Sequence, residues 1–241
     1  MFENYPKKRT ELPEGISNIY KSHYKSNREG GSKASNLAQK MESWLHRKVA
    51  SDVPAIHTKK TLEIGAGTLN QLKYEQSDHY DIVEPFSELF TNSQFRSKIK
   101  NIFNDIDEID ILTKYDRITS IATFEHITDL PKVIAKTCLL LDSNGTLRTS
   151  IPNEGSFIWK LGWQLTTGIE FRLKYGYDYE ILMKHEHVNN AKEIEQVLNY
   201  FYKSNKCKTF GLGKRFAFYR FYESKGPKVE LAKDYLKTLT R

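Results

Sequence analysis

Cysteine is scarce: Cys138 and Cys207 are the only two in 241 residues. That excludes a disulfide-stapled small scaffold, and the pair falls at no zinc-ligand spacing. Long apolar runs are missing too, so nothing approaches the roughly 20 residues that span a bilayer. The first residues, MFENYPKKRTELPEG, hold no apolar signal-peptide segment. The net charge is +7, yet no compact Arg/Lys block interleaved with rings accompanies it and no RNA-module signature is present. Solvated surface charge explains such a pattern, and nucleic acid is not expected as a partner. These absences point to a cytoplasmic globular chain.

Rings are plentiful, with 14 Tyr, 13 Phe and 3 Trp, which suits a lined pocket or lid. The charge is uneven. Residues 1–60 carry twelve Lys and Arg against six acids, residues 61–150 nine against fourteen, and residues 151–241 sixteen against ten. Basic flanks closing over an acidic centre would favour an anionic acceptor, or contact with the inner face of a membrane.

The chain is organised around residues 61–84, TLEIGAGTLNQLKYEQSDHYDIVE. Thr61-Leu62-Glu63-Ile64 is too short for a helix and suits a buried strand. It ends in Gly65-Ala66-Gly67, where two glycines allow a tight turn and close ligand approach. A second strand, Tyr80-Asp81-Ile82-Val83, ends in Glu84, 19 positions after Gly65. Strand, glycine turn, helix, and strand ending in an acid make the nucleoside-binding half of a doubly wound sheet, the acid accepting from the ribose hydroxyls. A dinucleotide site wants a third glycine for its pyrophosphate, and Asn70 stands there instead.

The pattern E-x-G-x-G from Glu63, with Glu84 after the next strand, resembles the class I S-adenosylmethionine-dependent methyltransferases of the type 11 kind. The segment Phe124-Glu125-His126-Ile127-Thr128-Asp129 after the fourth strand is similar to the E-H pair of a large subgroup of them. The resemblance implies a Rossmann-like seven-stranded sheet with helices on both faces, an N-terminal helical lid, and S-adenosylmethionine as cofactor with S-adenosylhomocysteine as product. It implies that Glu63 helps place the methionine moiety, and that Pro85 or Phe86 stacks on adenine. Asp105 accepts from the adenine amine while the Ile106 N–H meets the ring. The strand-end backbone at Ala122, Phe124 and Glu125 holds the methionine ammonium. His126 then lies near the methyl. For Asp105 a helix N-cap is the competing role.

The rest of the chain is read in order. Residues 1–16 form an irregular arm, residues 16–27 have helical spacing, and residues 32–52 form a helix with Leu37, Met41, Leu45 and Val49 on one face. Residues 86–92 are expected to be helical, residues 98–103 the third strand and residues 115–123 the fourth. Asp129 caps the next helix, a turn follows at 142–145, and the fifth strand spans 146–151. An aromatic insertion, residues 156–188, reads as a substrate cap, with an amphipathic membrane helix over 157–169 as the alternative. His185 and His187 lack a third ligand at standard spacing, so no metal is expected. Asn190 and Glu193 form a capping-box start. Two antiparallel strands close the sheet before a basic tail, to which Leu231, Tyr235 and Leu239 give helical spacing. The domains expected are an arm and lid over 1–56, a catalytic domain over 57–223, and the tail over 224–241.

A hydroxyl acceptor needs a proton acceptor within hydrogen-bond reach; His126 is the first candidate, followed by His187, Glu154 and Glu186. The overall layout is similar to bacterial methyltransferases of surface-polysaccharide and other glycan biosynthesis, implying transfer to a sugar hydroxyl on a small-molecule or glycan acceptor. Alternatives are an aromatic or quinone-type acceptor and a catalytically silent binding scaffold.

Overall fold

The computed structural model describes residues 2–17, 19, 36–164 and 168–239. The parallel strands are β1 (Thr61–Ile64), β2 (Tyr80–Val83), β3 (Ile99–Phe103), β4 (Tyr115–Ile121) and β5 (Leu141–Pro152). They are closed by β6 (Tyr202–Leu212) and β7 (Phe216–Pro227), with β7 antiparallel to both of its neighbours. The order across the seven-stranded sheet is β3-β2-β1-β4-β5-β7-β6. Strand order reverses between β1 and β4, and that reversal opens a crevice at the strand C-termini where doubly wound sheets bind ligands. Every residue of β1 and β2 is buried, as expected for parallel strands covered on both faces.

The helices are α1 (Asn36–Val49), α2 (Leu130–Leu140), α3 (Phe157–Trp163), α4 (Ile169–Tyr175), α5 (Glu180–Glu186), α6 (Ala191–Phe201) and α7 (Val229–Leu239). Strand alternation sorts them between the two faces. Ile118 and Tyr222 point into the main core with α2, α6 and Ala232 of α7. Ile121 and Phe221 point the other way, onto Leu45 and Val49 of α1. Local signals place the helix starts. The Asp129 carboxylate accepts from Lys132 N, and Asn190 and Glu193 form the expected capping box. In α6 Ile194, Val197, Leu198 and Phe201 are all buried, as the sequence spacing predicts.

Two buried arginines bind α1 to the sheet. Arg117 of β4 pairs with Glu75 and Asp52 and donates to Val49 O; Arg148 of β5 donates to Val49 O and Lys48 O. Carbonyls at a helix C-terminus lack intrahelical partners and carry partial negative charge, so guanidinium groups satisfy both needs.

Several expectations are corrected. Between β2 and β3 the helix expected over 86–92 is replaced by the 3₁₀ turn Ser87–Leu89, with a second turn at Arg96–Lys98. Ser, Thr and Asn crowd this stretch and favour turns over helix interiors. The turn at 142–145 is a bulge within β5: Leu141 faces Tyr115 and Thr146 faces Arg117, so five steps oppose two. The last strand runs on to Pro227, past the expected Tyr222, whereas the tail is helical as its spacing suggests, forming α7, whose Ala232 is fully buried. Among the described residues the cap holds α3, α4 and α5, with Gln164 and Gly168 also in helical backbone conformation, and the helix expected over 157–169 falls partly on residues outside the described set. Residues 18 and 20–35 lie outside the described set, with most of the helix expected over 16–27; so do residues 165–167 and the side chain of Leu37. Ile16 is fully buried against Phe171 and Leu182, so residues before α1 pack on the cap. No helix among the described residues is long and apolar enough to cross a membrane.

Candidate active site

A cleft of about 830 Å³ opens at the C-terminal ends of β1, β2 and β4. Its size lies within the range of small-molecule and cofactor sites. The turn after β1 forms its floor. Gly65 has φ +72°, and a Cβ there would lie 2.3 Å from Thr123 Cγ2. Gly67 has φ +50° with open space where a Cβ would be. Both positions favour glycine through their backbone conformation, and Gly65 also through a close approach. Ala122, at the end of β4, has φ +48°, an uncommon conformation for a residue with a side chain.

Glu84 is buried at the edge of this floor. One carboxylate oxygen accepts from Gly67 N at 2.8 Å and the other from Phe86 N at 3.1 Å. Each oxygen keeps a further lone pair for a ligand hydroxyl. Phe86 is 43% exposed beside it and lines the cleft with Pro85. Asp105 accepts from Asp107 N at 2.8 Å, the N-cap role, and it also lines the cleft with Ile106. Glu63 lines the cleft too. Burial pushes its carboxyl well above the usual range, which the Tyr80 hydroxyl at 2.9 Å offsets only in part. Ala66 completes the turn.

At the other end the E-H turn after β4 meets the end of the cap. Asn189 is fully buried and staples them together: its N–H donates to Glu125 O at 3.0 Å, and its side-chain amide donates to Phe124 O and Ile127 O. The ring centroids of His126 and His187 are then 4.9 Å apart. His126 Nδ1 lies 3.0 Å from Glu186 O, an acceptor only, so that nitrogen carries a proton, and Nε2 lies 3.8 Å from Glu125 Oε1. His187 Nδ1 lies 2.9 Å from Glu154 Oε2, which also accepts from the Trp159 indole. Burial alone would lower His187, but the Glu154 hydrogen bond and the Glu125 charge outweigh it and raise its pKa. Burial lifts Glu125 to about 7, with His187 pulling against the rise. Such paired perturbations in a cleft mark candidate chemistry.

Among the sequence-derived candidates, His126 lines the cleft directly, whereas His187 and Glu154 stand behind it. Glu125 is buried under His126. The Phe124 side chain is in the main core, away from the cleft wall. Two contributors escape sequence reasoning. His46 of α1 lines the cleft, hydrogen-bonded to Gln71 at 2.8 Å. Arg9 of the N-terminal arm also lines it, donating to His126 O at 2.9 Å and to the carbonyls of His185 and Glu186. Phe2, packed against Tyr200 and Tyr235, and Lys7, paired with Glu193, anchor that arm. An arm with no periodic pattern offers no local signal for such a role.

No protein-family model matches the chain, and no curated protein matches it. Solved structures share its fold. The plantazolicin methyltransferase BpumL, solved with a pentazolic desmethylPZN analogue and S-adenosylhomocysteine, superposes with TM-score 0.56 at 15% identity, over 88% of this chain and 93% of its own. A Thermotoga maritima S-adenosylmethionine-dependent methyltransferase, described as a possible histamine N-methyltransferase, gives 0.54 at 13% identity, over 87% and 98%. The N-methyltransferase NodS of Bradyrhizobium japonicum, solved with S-adenosylhomocysteine, gives 0.53 at 14% identity, over 81% and 90%.

Proposed function

We propose that the chain is an S-adenosylmethionine-dependent methyltransferase acting on a hydroxyl of a small-molecule or glycan acceptor. The observation that carries this is the glycine turn with Glu84 tethered across it, at the same cleft as a histidine held by its Nδ1. The residues fit the cofactor. Gly65 and Gly67 leave a bare backbone cradle, and the two N–H groups on Glu84 hold its carboxylate ready for two ribose hydroxyls. Asp105 and Phe86 flank the place of the base, and Ala122 belongs to the methionine end. When bound, the cofactor supplies an electrophilic methyl on its sulfonium.

The chain's own part is to align the acceptor and manage its proton. His126 presents the Nε2 lone pair at the cleft wall and takes the hydroxyl proton. The carboxylates of Glu186, 3.4 Å from Nδ1, and Glu125, 3.8 Å from Nε2, support the positive charge that then develops on His126, while His187, oriented by Glu154, packs against its ring. Arg9 and the basic flanks favour an anionic acceptor such as a sugar nucleotide or lipid-linked sugar of surface-polysaccharide biosynthesis.

A second reading has its own observation. On the cap Phe157, Ile169 and Leu173 are 73%, 50% and 83% exposed. Apolar surface of this kind suits an aromatic or quinone-type acceptor, or peripheral contact of the cap with a membrane. Turnover on sugar-nucleotide, lipid-linked and aromatic acceptors distinguishes these classes. His126→Ala is expected to retain S-adenosylhomocysteine binding and lose methyl transfer; unchanged turnover removes His126 from the role. Binding without turnover on any acceptor class would instead mark a scaffold.

A further inference from the structure

The structure brings His187 beside Glu125 and His126, which are adjacent in the chain and about sixty residues before it. One donor atom from each of Glu125, His126 and His187 lies within 4.8 Å of the others. Glu125 is 1% exposed, and its Oε2 is buried with no hydrogen-bond partner. A buried carboxylate oxygen without a partner carries a large desolvation cost. Both histidines have Nδ1 turned to an outer acceptor, Glu186 O for His126 and the Glu154 carboxylate for His187. Metal-bound histidines are held in this way, the outer acceptor setting the tautomer and the ring orientation. His126 Nε2 is 3.8 Å from Glu125 Oε1.

We propose that Glu125, His126 and His187 form a site for one divalent first-row transition ion, open on the side that faces the cleft. Two imidazoles and one carboxylate suit Zn²⁺, Co²⁺, Mn²⁺ or Fe²⁺ and disfavour the all-oxygen preferences of Mg²⁺ and Ca²⁺. Three protein ligands with a position left over are the pattern of reactive rather than structural sites. Ligands about 2.1 Å from a tetrahedral ion stand roughly 3.4 Å apart, so the three side chains draw in by about 1 Å through side-chain rotation. Asn189 holds the backbones of the two segments together, so the closure needs no chain movement.

The ion's role rests on the methyl-transfer reading, though its binding does not. With the ion present His126 is a ligand rather than the proton acceptor. An acceptor hydroxyl drawn to the open position loses its proton to water, and the O–H electron pair stays on oxygen against the positive charge. The acceptor is then an oxygen nucleophile, with adjacent hydroxyls favoured because both can reach one ion.

The test is a titration of chelator-treated full-length protein with Co²⁺, followed by visible absorption and calorimetry, with S-adenosylhomocysteine titrated separately into metal-free protein. The expected result is one Co²⁺ per chain, with ligand-field bands. Affinity should be at least about tenfold weaker in His187→Gln and in Glu125→Gln, each checked for an intact melting transition. His185→Ala, which alters a half-buried neighbouring histidine whose Nδ1 faces Thr10 O, should bind as the wild type does. Absence of stoichiometric Co²⁺ binding, or equal binding by wild type and both folded variants, overturns the site. S-adenosylhomocysteine binding to the metal-free protein reports on the cofactor reading alone, so the two can fail independently.

Discussion

Glu84→Gln probes the cofactor cradle at the point where the structure commits most. In the free protein both Glu84 oxygens are acceptors, from Gly67 N at 2.8 Å and Phe86 N at 3.1 Å. A glutamine keeps the shape but turns one acceptor into a donor that faces an N–H. It also removes the negative charge from the two bonds proposed to the ribose hydroxyls. A hydrogen bond to a charged group is worth about 1.5–3 kcal/mol. Losing one such contribution weakens S-adenosylhomocysteine by about 10- to 150-fold. Calorimetric titration of wild type and variant measures this directly, and thermal melting of both separates a lost contact from a lost fold. A variant that melts as the wild type does and binds within twofold of it would refute the reasoning, because the carboxylate would then not be holding the ligand.

The other two predictions concern stability. Arg117 is fully buried and paired with Glu75, itself fully buried in its side chain, and with Asp52. Removing one partner from such a group leaves uncompensated buried charge, so Arg117→Ala should cost about 3–5 kcal/mol. In a domain of this size that lowers the melting temperature by roughly 6–20 °C; a shift smaller than about 2 °C would sink the assignment. His46 and His57 are both held below the ordinary value of 6.5, chiefly by burial. At these two sites the unfolded chain takes up protons below pH 6.5 that the folded chain refuses, so their contribution to stability falls as the pH drops through that value, opposite in sign to that of Glu63, Glu125 and His187, whose pKa values are raised. In denaturant melts at about pH 7.5 and about pH 5, the stability of wild type relative to His46→Gln should be lower at the acid end; a difference that does not change with pH would contradict a neutral buried His46.

Local features of this chain are legible in the order of its residues. The 61–84 stretch announces its strand, turn and second strand, because glycine at positive φ and short β-branched runs act within a few residues. Asn190 with Glu193 marks the start of α6 for the same reason, as a cap is satisfied inside one turn. The cleft-lining members of the candidate site, Glu63, Glu84, Asp105 and His126, stand out by spacing and resemblance.

Long-range pairing is not legible in that way. Arg117 and Arg148 read as surface charge in sequence, since nothing nearby shows that acids and helix carbonyls from segments far along the chain will enclose them. Arg9 belongs to an arm without periodicity, and its partners lie more than a hundred residues away. His187 acquires its meaning only beside Glu125 and His126. About sixty residues of chain separate them, and the buried amide of Asn189 closes that gap. Chain propensities determine by themselves where strands, turns and caps form. The meeting of charges, imidazoles and carboxylates is decided by the tertiary structure, because burial and contact between distant segments are what give those groups their partners and their protonation.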